Sequence, residues 1–395
     1  MPKIYLDYQS ATPLRPEVRE AMEPYWSERF GQAASLHLYG LQARDALKEA
    51  RESCAGFIGA NDPSEIHFTS DGTEAMNLAV KGVAVANRER GNHIVTSAIE
   101  HPGILKSTEY LKELGFECTE VPVDAVGRVS VNTLADAITN KTILVATHVV
   151  NHDLATIQPV AEIGTVTSKK GIPFYVDAEA AAGWEALDVG RFKADLLSFS
   201  PHRLGGPKGV GVLYRSRRVP MAPILHGGEQ EGGFRAGVEN IAAIVGAGAA
   251  VKSVGESETI PSLQAALWAS VSEKLSHARL NGPPPGDGRA ANSLNISFEF
   301  LEGEGIALAC DMRGLVIASG PACHGRALKV SPTLRAIGVS DSLARANVIL
   351  SLGAQTTKEE IEKAADILVS TVERLRGMSE SWEAFQSGER AAELS

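Results

Sequence analysis

A chain of 395 residues, 44% hydrophobic and 22% charged, has enough material for a large buried core and is expected to form two domains. Its formal charge of −10 argues against nucleic acid or an anionic membrane as the main partner and is compatible with docking onto a basic protein. The opening Met1-Pro2-Lys3-Ile4-Tyr5-Leu6-Asp7 has no apolar signal region, no run is long enough to span a bilayer, and Cys54, Cys118, Cys310 and Cys323 show neither CxxC spacing nor a disulfide framework, so a reducing cytoplasm is the expected compartment.

Taken in chain order, residues 40–58 carry apolar positions at helical spacing, and short apolar runs at 66–68, 93–96, 142–147, 174–177, 196–199 and 211–214 read as strands. Asp71-Gly72-Thr73-Glu74 reads as a turn that opens a helix. Alternation of strands with helical segments predicts an α/β fold with a mainly parallel sheet. The stretch around Cys118 is also strand-like, whereas Cys54 and Cys310 fall in apolar settings and read as core. Beyond residue 255 the pattern changes to a helix over 260–280, a Gly/Pro-rich turn, strands near 293–298 and 314–318, and a helix over 358–376. This predicts a small α+β unit, with a frayed polar tail from Ser379.

Several motifs stand in one order: Tyr5-Leu6-Asp7-Tyr8-Gln9-Ser10-Ala11-Thr12-Pro13, Thr69-Ser70-Asp71-Gly72-Thr73-Glu74, Glu100-His101, Val176-Asp177-Ala178, Ser198-Phe199-Ser200-Pro201-His202-Arg203, Gly205 to Gly211, Gly227-Gly228-Glu229, and Ser319-Gly320-Pro321-Ala322-Cys323. Together they resemble the cysteine desulfurases of the NifS/IscS type, within the class V aminotransferases, over residues 4–376. The resemblance implies the pyridoxal-phosphate (PLP) transferase fold type I with a seven-stranded sheet. The large domain would run over 15–255 and the small one over 1–14 and 256–395, the latter carrying the Cys323 loop. It also implies a homodimer, and an iron–sulfur scaffold or another sulfur acceptor as partner. Residue by residue, it matches Gly72, Thr73, Ser200 and His202 to contacts on the cofactor phosphate. It matches Asp177 to the pyridine nitrogen, His101 to the ring-stacking proton relay, and Cys323 to the nucleophile that becomes a persulfide. His324, beside Cys323, could help to stabilise a thiolate.

The departures from that pattern gather at one place. Arg203 stands where the Schiff-base lysine belongs, and a guanidinium is a poor nucleophile. His152 replaces an asparagine that touches cofactor and substrate, and Ala180 replaces a glutamine on the phenolic oxygen. Val238 replaces a threonine that reaches the partner subunit's phosphate, and Ile349 replaces the arginine that clamps the substrate carboxylate. The expectation is therefore a desulfurase-like protein of sulfur or iron–sulfur metabolism with a degenerate pocket. It would act through Cys323 as a persulfide carrier or as ligand to an iron–sulfur cluster shared with a partner, and PLP would be held non-covalently at most, with His152 and Arg203 among its contacts. The alternatives are a pocket repurposed for another anionic ligand, a true cysteine desulfurase, and a regulatory dimer without catalysis. Two further readings concern Arg203: Lys208 could substitute as the amine, and Arg203 could pair with Asp177 or Glu179 and fill the pocket. His93, His101, His148 and His152 match no ligand spacing, so no metal is expected.

Overall fold

The computed structural model describes residues 3–255, 258–320 and 330–388. Among the described residues twelve strands are present: β1 (Ile4–Tyr5), β2 (Ile66–Thr69), β3 (His93–Ser97), β4 (Glu117–Val121), β5 (Thr142–His148), β6 (Phe174–Asp177), β7 (Leu196–Phe199), β8 (Gly211–Arg215), β9 (Ala278–Asn281), β10 (Ser293–Phe298), β11 (Leu315–Val316) and β12 (Asn347–Ser351). Seven of them form one sheet in the order β2-β8-β7-β6-β5-β3-β4. Only β8 runs against its neighbours; the pairs β3–β4, β3–β5, β5–β6 and β6–β7 are parallel. Every residue of β3, β5, β6 and β7 is buried, as a sheet covered by helices on both faces requires. This is the α/β architecture with a mainly parallel sheet that the sequence predicts.

The helices that matter for the site are α1 (Leu38–Phe57), α2 (Gly72–Asn77), α3 (Pro102–Glu113), α4 (Val160–Lys170), α5 (Ile241–Lys252), α6 (Ile260–Lys274), α7 (Gly303–Met312), α8 (Lys358–Arg376) and α9 (Glu380–Gln386). One sheet face packs Phe68, Val145, Phe174, Val176 and Leu197 against Ala43, Leu47 and Ala50 of α1 and Ile244 and Ala247 of α5. The other buries Leu144, Tyr175, Leu196 and Leu213 under Met76 and Val80. A separate core joins Leu6 to Leu267, Ile296, Ile306, Leu350 and Leu368. Capping residues fix the helix ends. Thr357 and Glu360 form a reciprocal capping box at the start of α8. Gly171 closes α4 with a left-handed φ of 65° and has open space where a Cβ would sit. Gly171→Ala therefore carries only the backbone penalty. It is expected to lower stability by about 1 kcal/mol, read as a lower denaturation midpoint with an unchanged m-value.

Three local expectations are corrected. The helix expected over 260–280 stops at Lys274; Leu275 is extended, His277 takes a positive φ of 55°, and Leu280 enters β9. The turn breaks the helix before Leu280, although that residue continues the apolar spacing. The expected strand at 314–318 is only β11, which pairs in parallel with β1, plus a single bridge from Ala318 to Ile349. The tail after Ser379 is ordered to residue 388. Ser379 caps α9, whose Trp382 and Phe385 stack on Phe300 and His277 with ring centroids 4.8 to 5.7 Å apart.

Candidate active site

The carboxyl ends of β2, β3, β5, β6 and β7 point to one side of the sheet, where open α/β sheets place their ligands. A cavity of about 190 Å3 lies there, lined by Gly72, Thr73, His101, His152, Ser200, His202 and Arg203 together with Asp7, Gln9, Glu179 and Ile349. The loop after β2 enters α2 through Asp71, whose side chain accepts the Glu74 amide at 2.7 Å. Asp71 thus already caps the helix end at which Gly72 and Thr73 line the cavity.

His101 follows β3 and caps α3, its Nδ1 accepting the Gly103 amide at 3.0 Å. Its ring meets that of His152 edge-on, with centroids 5.4 Å apart. Asp177 ends β6 and is 4% exposed; its Oδ1 accepts the Glu179 amide at 2.9 Å. Burial pushes the Asp177 carboxyl up to about 6, against that hydrogen bond and with the Glu100 charge adding to the rise. Glu100 and His148 form a buried pair at 2.8 Å, and Ser97 donates to the other Glu100 oxygen at 2.5 Å. Burial is the largest influence on the His148 imidazole and would lower it, but the Glu100 charge, the hydrogen bond to Glu100 and the Asp177 charge together outweigh it and the net shift is upward.

Arg203 sits one turn past the end of β7 and lines the cavity. Its guanidinium donates from Nη1 to the Gln9 carbonyl at 2.6 Å, while Nε is buried without a hydrogen-bond partner. Among the described residues its charge acts on Asp177 and Glu179, lowering both carboxyls against their rise on burial, without a direct ion pair to either. Gln9 acts as a hub: its side chain donates to the His152 carbonyl and accepts from Ser293, and its amide donates to Ser351 Oγ at 2.8 Å. Glu179 is 5% exposed, its Oε1 has no hydrogen-bond partner, and burial with the neighbouring Asp177 charge pushes it up to about 8. His202 is pushed down to about 4 by burial, with the Arg203 charge adding to it.

The structure therefore gathers Gly72, Thr73, His101, His152, Ser200, His202 and Arg203 around one cavity, with Asp177 buried beside it in hydrogen-bond contact with Glu179. Cys323 and His324 lie outside the described residues. Lys208 is exposed and, among the described residues, no lysine lines the cavity, which does not favour Lys208 as a substitute amine. Ile349 lines the cavity while Val238 is 65% exposed away from it. Cys54 and Cys310 are buried, their thiols pushed up by burial to about 12 and about 11. Among the described residues no cluster of three or more His, Cys, Asp or Glu side chains could hold a metal. Sequence reasoning missed Gln9 and the Glu100–His148 pair as parts of the site, and gave Glu179 only as a possible partner of Arg203. Glu100-His101 and Asp177-Ala178-Glu179 were visible as dipeptide and tripeptide signals, but nothing local shows that Gln9 reaches across the chain.

Residues 4–364 match the family model described as aminotransferase class-V. The chain is 40% identical over 382 residues to the cysteine desulfurase IscS of Dictyoglomus turgidum, covering 95% of this chain and 96% of that one. It is 40% identical over 381 residues to the protein of the same name from Methanosarcina thermophila, covering 95% and 93%. Among solved structures, a NifS-like protein superposes with a TM-score of 0.87 at 30% identity, covering 94% of this chain and 99% of that one. SspA in complex with cysteine superposes with a TM-score of 0.80 at 34% identity, covering 89% and 99%. Among the described residues no helix is long and apolar enough to cross a membrane.

Proposed function

The chain belongs to the class-V aminotransferase family, and from that premise we propose that it is a sulfur-transfer protein of the cysteine desulfurase type, taking sulfur from L-cysteine onto Cys323 and passing it to an acceptor or iron–sulfur scaffold protein. The observation that carries this reading is the joint retention of His101, Asp177, Ser200 and His202 at one cavity, in a chain 40% identical to proteins named cysteine desulfurase IscS. The reading includes a homodimer; Trp26, Phe30, Leu36 and Leu38, 61% to 87% exposed, offer an apolar face for it.

The residues present fit PLP as a ligand held by contacts, and do not fit a covalent link. Ser200 Oγ is buried close to the Glu179 carboxyl and lines the cavity beside Gly72 and Thr73, a place for a phosphate oxygen. Asp177 stands where a ring nitrogen needs a carboxylate. Arg203 offers no amine. The cofactor, when bound, would supply the electron sink for bond breaking next to an amino group. The chain's own residues would do the rest. Glu100 and His148 hold the Asp177 surroundings in place, Arg203 takes a carboxylate or phosphate as a charged donor, and His101 at the cavity wall moves a proton.

A second reading is favoured by Arg203 and by Ile349: a persulfide carrier or cluster ligand that receives sulfur at Cys323 and extracts little from cysteine itself. One experiment separates the two. Purified protein is incubated with PLP and desalted, its visible spectrum is recorded with and without L-cysteine, and sulfide is measured with a thiol reductant such as dithiothreitol present to reduce the persulfide. A chromophore that shifts with cysteine, together with sulfide release that Cys323→Ala abolishes, is the expected result of the first reading. A colourless protein that still takes sulfur onto Cys323 from an external persulfide is the result of the second. Absence of both would overturn the sulfur-transfer proposal.

A further inference from the structure

At the start of α2 a Cβ on Gly72 would collide with the Glu179 carboxyl group, so that carboxyl lies against the helix end itself. The run from Gly72 continues through a π-helical turn at Leu78–Gly82 and a short helix Val83–Ala86, and its first amides lack intrahelical acceptors. Such an end ordinarily favours an anion from outside. Here the protein presents two carboxyl groups of its own: Asp71, bonded to the Glu74 amide, and Glu179, whose Oε1 is unpartnered in a residue 95% removed from solvent. A phosphate brought to this cradle would face the Glu179 carboxyl in a place with little water to screen them.

We infer that Glu179 makes phosphate binding at this site proton-coupled: a phosphate-bearing ligand enters only with Glu179 in its neutral, hydrogen-bond-donating form. The inference rests on the reading that the cavity takes PLP. In the protonated state the acid O–H donates to a phosphate oxygen; in the ionised state two anions oppose each other. The groups that face Glu179 are consistent with this. Asp177 behind it and Asp71 at the helix end add negative charge, Asp7 lies across the cavity, Ser200 offers Glu179 a hydrogen bond, and among the described residues Arg203 is the cation lining the cavity, donating to the Gln9 carbonyl. Ser200, His202, His101 and His152 complete the wall, and His202 is neutral near pH 7. The elevated Glu179 carboxyl places the switch near pH 8, within reach of ordinary buffers.

The test is equilibrium binding of PLP, with pyridoxal as the control without phosphate, to the full chain and to Glu179→Gln between pH 6.5 and 9.5. Slopes common to both proteins belong to the ligand. The expected result is that wild-type affinity for PLP falls an additional tenfold per pH unit above about pH 8, that Glu179→Gln lacks this fall, and that pyridoxal binds both alike. Glu179→Thr serves as a second variant should the glutamine protein unfold, with circular dichroism confirming fold in each case. Identical pH slopes in wild type and variants, or no PLP binding by any of them at any pH, would overturn the inference. Sulfide release is measured apart from this, so failure of the desulfurase reading leaves the binding result standing.

Discussion

Arg203→Lys is expected to raise cysteine-dependent sulfide release by about 10²–10⁴-fold and to let the protein keep PLP through desalting. The argument is chemical and positional. Residue 203 lies in the turn after β7, next to Ser200 and His202, and its side chain lines the cavity. A lysine amine in that half-buried place can lose its proton and attack a carbonyl carbon, which a guanidinium does poorly. The lysine is also expected to release the Gln9 carbonyl that Arg203 now engages, a small stability cost. Borohydride reduction followed by mass measurement would show the cofactor fixed on residue 203, and a sulfide assay would give the rate. No gain in either readout would place the block in the other substitutions around the cavity.

Ile349→Arg, made together with Arg203→Lys, is expected to lower the KM for L-cysteine by about 10- to 100-fold with a smaller change in kcat. Ile349 is 3% exposed in β12, between Asn295 of β10 and the bridge to Ala318, and it lines the cavity wall. An apolar branch there gives a substrate carboxylate nothing to bind. A guanidinium at the same place can grip both carboxylate oxygens, and its effect belongs to ground-state and transition-state binding alike, which is why KM carries it. Steady-state kinetics with L-cysteine and with cysteamine, which lacks the carboxylate, checks the cause: cysteamine is expected to show no gain. A gain of equal size with both amines would mean that the arginine acts on the cavity's shape.

Much of the sheet was legible because its strands are continuous apolar runs. Phe174-Tyr175-Val176 and Leu196-Leu197-Ser198 have nowhere to go but a doubly covered interior. A short strand escaped. Ile4–Tyr5 has two residues, and only its pairing with Leu315–Val316, the core of the strand expected at 314–318, makes it a strand. The helix expected to reach residue 280 failed for a related reason: Leu280 satisfies helical spacing, but the backbone turns at His277. At the site, residues that sit on strand ends announced themselves through motifs. Gln9 and Glu179 did not, since the role of each depends on what faces it, and a polar residue in a loop gives no sign of burial. Arg203 was legible as a departure, but its partner, a backbone carbonyl near the N-terminus, was not.

The hub at Gln9 has a consequence for synthesis. Its amide bonds to Ser351 and its side-chain oxygen to Ser293, while β1 pairs with β11 at residues 315 and 316. A nascent chain emerging from the ribosome carries Gln9 well before its partners, which appear only with residues 293 and 351. The seven-stranded sheet, complete once residue 215 is out, can form beforehand. The wall of the cavity that Gln9 braces would therefore close only once residue 351 has been made, leaving an interval in which the ligand pocket stands open and a small molecule can enter before the strap around Gln9 is tied.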